Sequence, residues 1–329
     1  MVRYLIKRVL LAVLTMFAVS VVTFLLFFAV PTSPAQVMCG KQCDAHSIHQ
    51  TEVRLGLNEP RVVQYGQFVK GIVAGRVYGS GDLALKCPAP CLGYSFRTGE
   101  PVTSILKRTV PVTASIVVGA LLIQVLLGVG LGMLSALRRG TAFDKASVGV
   151  SLVGASMQIY FLGPVLLLIF VYTLHWLPNP GYTSPFQDPW AWFTQLLLPW
   201  VTLGFLNSAI YARLSRAQML ETLSEDFVRT ARAKGLPKRK VYARHALRAA
   251  ITPIITIAGL DLGTALGGAV ITETVFGVNG LGRTAVQAVT DLNLPVVMAT
   301  VLLAAVFIII MNIIVDVLYS AIDPRVRLS

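Results

Sequence analysis

Few side chains in this sequence are placed to do chemistry. Asp261 is the only charge well inside the apolar run 251–275. At about 1.5 Å per residue it sits about 15 Å beyond Ile251, near the midplane of a bilayer. Gly259, Gly263 and Gly267 recur every four residues and make a stripe suited to close helix packing. Asp261 projects from the other side of that helix, with Thr264, Ala265, Gly268 and Thr272 on its face. An acid at this depth faces either a wet cavity or a hydrogen-bonding neighbour helix. The small, polar composition of its face favours the cavity. Asn312 and Asp316 are the other polar intrusions, in the run 296–319, and Asp316 reads as a structural pairing. Met157, Gln158 and Tyr160 are further candidates for contact with a bound molecule, and Gly128 with Gly132 reads as packing.

Three other groups have chemical potential. The four cysteines form Cys39-x3-Cys43 and Cys87-x3-Cys91. An even count in an oxidising compartment suggests two disulfides. A polyproline-like path through Pro88 and Pro90 would put Cys87 and Cys91 about 12 Å apart, beyond the reach of a bridge. Bonds between the two pairs are therefore expected. A metal site is the competing reading, because His46 and His49 follow Cys43. The run Gly277 to Thr284 nearly fits a phosphate-binding loop with Arg283 in place of lysine. It follows an apolar span on the side opposite to cytoplasmic nucleotide, so it reads as a glycine-rich turn. Lys240, Arg244 and Arg248 form one basic stripe at four-residue spacing, with Val241, Tyr242, Ala246 and Leu247 on the remaining surface. Gly235 before them suits a helix C-cap, and Pro237 a helix start.

The elements that must position these groups are membrane helices. Of the 329 residues, 55% are hydrophobic and 13% charged, the mean hydropathy is +0.71 and the net charge +13. A soluble domain carries about 25% charged residues. A nucleic-acid partner is excluded, because the basic residues are interleaved with long apolar runs and do not form a solvated face. Six runs are long enough to span, at about 9–30, 111–137, 146–174, 196–214, 251–275 and 296–319. The first, at about 22 residues, exceeds the apolar core of a signal peptide and is read as a retained anchor. Lysine and arginine number three before the first span, three between the second and third, and ten between Arg213 and Arg248. They number none between the third and fourth spans and one between the fifth and sixth. Both termini are therefore expected in the cytoplasm of a multi-pass plasma (inner) membrane protein. Trp176, Trp190, Trp192 and Trp200 are expected as an outer aromatic belt against membrane lipid.

The organisation that follows is all-α. Residues 1–30 hold the cytoplasmic start and first helix, and 31–110 an extracytoplasmic cap. Residues 111–329 form a core of five helices with an inner loop at about 221–250. In the cap, Asn58-Glu59-Pro60 opens a helix carrying Val62, Tyr65, Val69, Ile72 and Val73, with a turn at Gly79-Ser80-Gly81. The fourth span is expected to run on through Glu225, Phe227 and Ala231 to Ala233. The loop then forms a glycine elbow and a short basic helix before re-entering the membrane at Pro253.

The run Arg229-Thr230-Ala231-Arg232-Ala233-Lys234-Gly235-Leu236, followed by His245-Ala246-Leu247-Arg248 and Thr252-Pro253, closely resembles the coupling loop of ABC importer permeases of the dipeptide/oligopeptide family. The resemblance extends to Val2-Arg3-Tyr4-Leu5, Ser95-Phe96-Arg97-Thr98-Gly99, Trp176-Leu177-Pro178, Glu273-Thr274-Val275-Phe276, Gly280-Leu281-Gly282 and Asp323-Pro324-Arg325-Val326-Arg327. Arg229-Thr230-Ala231 stands where the general permease motif has Glu-Ala-Ala, and the two cysteine-bearing stretches look like insertions. The resemblance implies a type I importer permease fold with six membrane helices. It implies a second homologous permease subunit, two cytoplasmic ATP-binding subunits and an extracytoplasmic substrate-binding protein. ATP and Mg would be bound by the ATPase, and no cofactor by this chain. The implied coupling contacts are Glu225, Asp226, Arg232, Lys234, Gly235, Arg239 and Arg244. The implied cargo is di- or oligopeptide, with nickel chelates, opines or haem as alternatives.

Two other classes are weighed against this. An ion-coupled carrier or channel would use Asp261 and Asp316 as ion sites, but inverted repeats are not apparent in the sequence. An intramembrane enzyme needs a catalytic constellation at membrane depth, and His175 and His245 lie outside the spans without partners at ligand spacing.

Overall fold

The computed structural model describes residues 2–29, 44, 49, 59–78, 85–95 and 97–322. It is built almost wholly of helices. Helix α1 covers Val2–Ala29 and α2 covers Arg61–Ala74. Two small antiparallel ribbons follow, β1 (Arg76–Tyr78) with β2 (Leu85–Cys87), and β3 (Tyr94–Ser95) with β4 (Glu100–Pro101). The remaining helices are α3 (Val102–Leu137), α4 (Ala142–Ser156), α5 (Ile159–Thr173), α6 (Pro189–Ser224), α7 (Asp226–Ala233), α8 (Lys238–Leu266), α9 (Val270–Val275), α10 (Leu281–Thr290) and α11 (Leu294–Ile322).

Helices α3, α6, α8 and α11 are each long and apolar enough to cross a membrane. In α1 the apolar stretch is Leu10–Leu25. The third expected span is not straight: α4 and α5 meet at 98° through the extended residues Met157 and Gln158. Next to the break, the Ser156 hydroxyl bonds back to the Leu152 carbonyl, a local alternative to the helical ladder. The fifth expected span is also broken. It ends at Leu266, and Gly268 at φ +143° turns the chain into α9. A side chain at Gly268 would press on the backbone of Gly282, which explains why glycine stands at this turn. Helix α3, the second expected span, starts at Val102, nine residues before the apolar run, with Pro101 of the ribbon at its N-cap.

Small residues set the helix contacts. Gly128 and Gly132 of α3 lie against Tyr211, Ala212 and Ser215 of α6, so closely that a Cβ would collide with α6. The α8 stripe Gly259, Gly263 and Gly267 meets Val315, Met311 and Ala304 of α11 in the same way. Arg8 of α1 pairs with Asp316 of α11, so the start of α1 and the end of α11 share one end of the bundle. At that end, Asp144 accepts a two-pronged contact from Arg216, at 2.8 and 3.0 Å, and is held by Ser135 and the Gly140 N–H. This buried cluster ties the α3–α4 turn to α6.

The cap rests on α1 and α11. Tyr65 of α2 packs edge-on against Phe17 and Phe24 of α1. In the segment before α3, Ser95 is fully buried and accepts a hydrogen bond from Asn293, while Arg97 pairs with Asp291 at 3.1 Å. Burial pushes the Tyr78 hydroxyl pKa up, opposed by the Arg76 guanidinium, which lies 4.7 Å over its ring.

Two expectations are corrected in this region. Cys87 and Cys91 are bonded to each other, with Cα atoms 5.5 Å apart. The chain bends at Ala89 and Pro90 and does not take the extended path that the spacing argument assumed. Cys39, Cys43, His46, the turn 79–81 and the tail 323–327 lie outside the described residues. Trp200 is not a belt residue: it is 6% exposed, bonds the Ser115 carbonyl and fills the space beside Gly119. Trp176 and Trp190 are exposed, at 69% and 73%.

Candidate translocation cavity and coupling arm

A cavity of about 670 Å³ opens between α3, the α4–α5 break, α6, α8 and α9. The broken helices create it. The 98° bend places Met157 and Gln158 on its wall, and the Gly268 turn brings α9 across one end. Asp261, Thr264, Gly268 and Thr272, expected from the sequence to share one face, all line it. The Asp261 carboxylate accepts a hydrogen bond of 2.6 Å from the Tyr211 hydroxyl of α6. Gln124 of α3 contacts the same hydroxyl, giving a polar chain across three helices. The two readings of Asp261 thus coexist: it bonds a neighbouring helix and still faces the cavity. The sequence reading missed Tyr211, Gln124, Asn207 and Arg213, all on the cavity wall. The signal was present, because Asn207 and Tyr211 are polar interruptions of the fourth apolar run, at the spacing of one helical turn. Tyr160, a candidate cargo contact, is 60% exposed and stands off the wall.

The glycine run after α9 has an unexpected occupant. Glu273 is fully buried. Its carboxylate accepts the Thr113 hydroxyl at 2.6 Å and the Arg283 N–H at 2.8 Å, with Gly282 as a further backbone donor. Thr113 in turn accepts the Leu281 N–H at 2.7 Å. The donors are the first N–H groups of α10, which lack partners within the helix and favour negative charge. The run resembles a phosphate loop because it does the same physical work for an internal carboxylate. Gly280 lies so close that a Cβ there would overlap the Glu273 carboxylate.

At the other end of α8 the arm is a folded unit. The expected continuous helix through Ala233 is interrupted: α6 stops at Ser224, Glu225 is extended, and α7 begins at Asp226. Gly235 takes φ +76° with open space where a Cβ would be, so backbone conformation alone calls for glycine. Helix α8 then starts after Pro237, with a π turn over Val241–Ala246. Val228, Ala231 and Val241 are buried in a seam completed by Leu223, Leu236 and Tyr242. Glu225, Asp226, Arg232, Lys234, Gly235, Arg239 and Arg244 are all exposed above that seam. Arg232 lies 6.0 Å over the Tyr242 ring, and Asp226 pairs with Arg229. The arm therefore presents exposed charges on a small apolar base. Among the described residues no cluster of His, Cys, Asp and Glu is arranged to hold a metal.

A multi-helix membrane protein with broken helices round a side cavity, and a structured basic arm at one end, has the build of a transporter subunit. The sequence matches the family model for the inner membrane component of binding-protein-dependent transport systems over residues 128–328, and the model for its N-terminal part over residues 1–117. Among curated relatives, the dipeptide transport system permease protein DppB of Alkalihalophilus pseudofirmus is 34% identical, with 99% of this chain and 100% of the relative covered. The di/tripeptide permease DppB of Pseudomonas aeruginosa is 35% identical, and the dipeptide permease DppB of Escherichia coli 33%, each with 99% of both chains covered. Among solved structures, an inward-facing form of the MetNI methionine ABC transporter superposes with a TM-score of 0.54 at 19% identity, covering 68% of this chain and 98% of that one. The chain belongs to the family of binding-protein-dependent transport system inner membrane components, and its fold is that of an ABC importer permease.

Proposed function

We propose that this chain is the permease subunit of an ATP-driven importer of di- or oligopeptides, with both termini in the cytoplasm. The observation that carries the reading is the arm. Its seven charged or glycine positions named above stand exposed over a buried seam, a surface open to a partner. Two cytoplasmic ATP-binding subunits would grip it, and ATP with Mg would be bound there. Among the described residues the glycine run most like a nucleotide loop is filled by Glu273. A second, similar permease would close the open side of the cavity, and an extracytoplasmic binding protein would deliver cargo. Closure of the ATPases would pull on Gly235 and α7, shifting a two-state bundle through α6 and α8. Asp261, Thr264, Gly268 and Thr272 would lie on the translocation path.

The carrier alternative needs Asp261 and Asp316 both as ion sites. Asp316 is already engaged with Arg8, which weakens it. The deciding experiment is reconstitution in liposomes with the partner subunits and binding protein. Peptide uptake that requires ATP supports the proposal. Uptake by the isolated chain, driven only by an ion gradient, refutes it.

A further inference from the structure

Helix α2 of the cap has three faces, each with different surroundings. At about 100° per residue, Gln64, Gln67 and Gly71 share one face within about 60°. That face carries the ribbon. Arg76 donates to the Gln67 side chain at 2.6 Å, Gln67 donates to the Glu59 carboxylate at 2.6 Å, and a Cβ on Gly71 would touch Arg76 and Cys91. Directly opposite stand Val62, Gly66, Val69 and Val73, again within about 60°. Val62 is 82% and Val73 79% exposed, and a Cβ on Gly66 would meet nothing within 4 Å. Tyr65 lies between these two faces and packs on Phe17 and Phe24 of α1, with its hydroxyl 3.3 Å from that of Ser20.

The height of the Tyr65 contact decides what the valines meet. The apolar stretch of α1 closes at Leu25, and Arg8 with Asp316 marks the inner end. Ser20 is five residues inside Leu25, about 7.5 Å below the outer end at 1.5 Å per residue. A helix held there lies within the edge of the hydrocarbon, not above it. Interfacial helices seat their apolar face about 5–10 Å deep. With 14 residues α2 is too short to span, which leaves it lying along the interface. Phe17 is exposed on α1 while it touches Tyr65, so the apolar surface of α1 continues onto α2. Lys70 is exposed at the border of the valine face, where a long cation reaches from acyl chains to water.

We propose that α2 is an interfacial helix of the outer leaflet, with Val62, Val69 and Val73 seated among phospholipid acyl chains. The ribbon closed by Cys87 and Cys91 then stands on its water side, and α2 fixes the height of the cap at the bilayer. A protein partner would have to reach below the outer end of α1 to cover these valines, where acyl chains already lie. The inference goes beyond the importer reading and holds for the carrier alternative as well.

The test places photoreactive benzoylphenylalanine, one site at a time, at Val62, Val69 and Val73, and at Lys86, which is exposed on β2, as the water-side control. The assembled transporter with its binding protein is reconstituted in liposomes of phosphatidylethanolamine and phosphatidylglycerol and irradiated. Adducts are then identified by mass spectrometry. Phospholipid adducts are expected at the three valine sites and none at Lys86. Adducts to the binding protein, to the partner permease or to another segment of this chain, in place of lipid, would overturn the proposal. So would the absence of lipid adducts at the valine sites, or equal yields at all four positions. Hydrogen exchange in the same liposomes gives a second, independent readout. Val69→Asp with Val73→Asp puts charge into the acyl region and is expected to abolish amide protection over residues 62–74, whereas Val69→Leu with Val73→Leu is expected to keep it. Protection that survives the aspartate pair would mean that the face lies in water, and would overturn the proposal.

Discussion

Two glycine-bent connections flank α8, and they handle charge in opposite ways. At its start, the arm buries Val228, Ala231 and Val241 and leaves Arg232, Lys234, Arg239 and Arg244 in the open. Beyond its end, the loop before α10 buries one carboxylate and surrounds it with backbone and a threonine. The first arrangement offers unpaired charge to something outside the chain. The second satisfies its charge internally and needs nothing further. Glycine has a different task in each. Gly235 is required by its left-handed backbone in empty space, whereas Gly280 is required by lack of room beside Glu273. One sequence feature, a glycine between helices, thus marks a docking arm in one place and a lock in the other.

This contrast predicts a graded series of effects. Glu273→Leu strands the N–H groups of Arg283 and Gly282 and the Thr113 hydroxyl in a buried site. At about 1–3 kcal/mol for each unsatisfied buried group, it should cost about 3 kcal/mol or more. A marked fall in the thermal midpoint of the detergent-purified protein would show it, and an unchanged midpoint would remove the lock. Gly280→Ala adds a Cβ that overlaps the same carboxylate. It should destabilise by about 1–3 kcal/mol, and combining it with Glu273→Leu should cost less than the sum of the two.

At the arm, Gly235→Val is expected to cost about 1–2 kcal/mol from backbone conformation alone, with Gly235→Asn better tolerated. Protease cleavage between α7 and α8 is a suitable readout. Equal cleavage of both variants and wild type would show that the elbow imposes no left-handed constraint. The smallest effect on stability belongs to the exposed charges. Reversing Arg232, Arg239 and Arg244 to glutamate should change the isolated chain's stability by about 0.5 kcal/mol or less per site.

Legibility in the sequence followed the range of the forces involved. The Asp261 face and the glycine stripe were visible because helical periodicity is local and regular. The same is true of the arm's elbow at Gly235 and of Gly128 with Gly132. The Cys87–Cys91 bridge was hidden because the spacing argument assumed an extended path, and a bend through Pro88, Ala89 and Pro90 replaced it. The buried Glu273 was hidden because its partners come from α3 and α10, far apart in the chain. Trp200 read as a belt residue by its type and position, yet tertiary packing against Gly119 withdrew it into the core. The break at Met157 and Gln158 fell in the middle of an unbroken apolar run, where hydropathy carries no information about direction.

The account depends most on the arm acting as a handle for a separate engine. Its most direct test is co-purification of the cytoplasmic ATPase with the Arg232, Arg239 and Arg244 triple reversal, alongside the thermal midpoint of the permease itself. The account predicts that the ATPase is lost while the midpoint stays near the wild-type value. An ATPase that remains bound, with uptake intact, would contradict it.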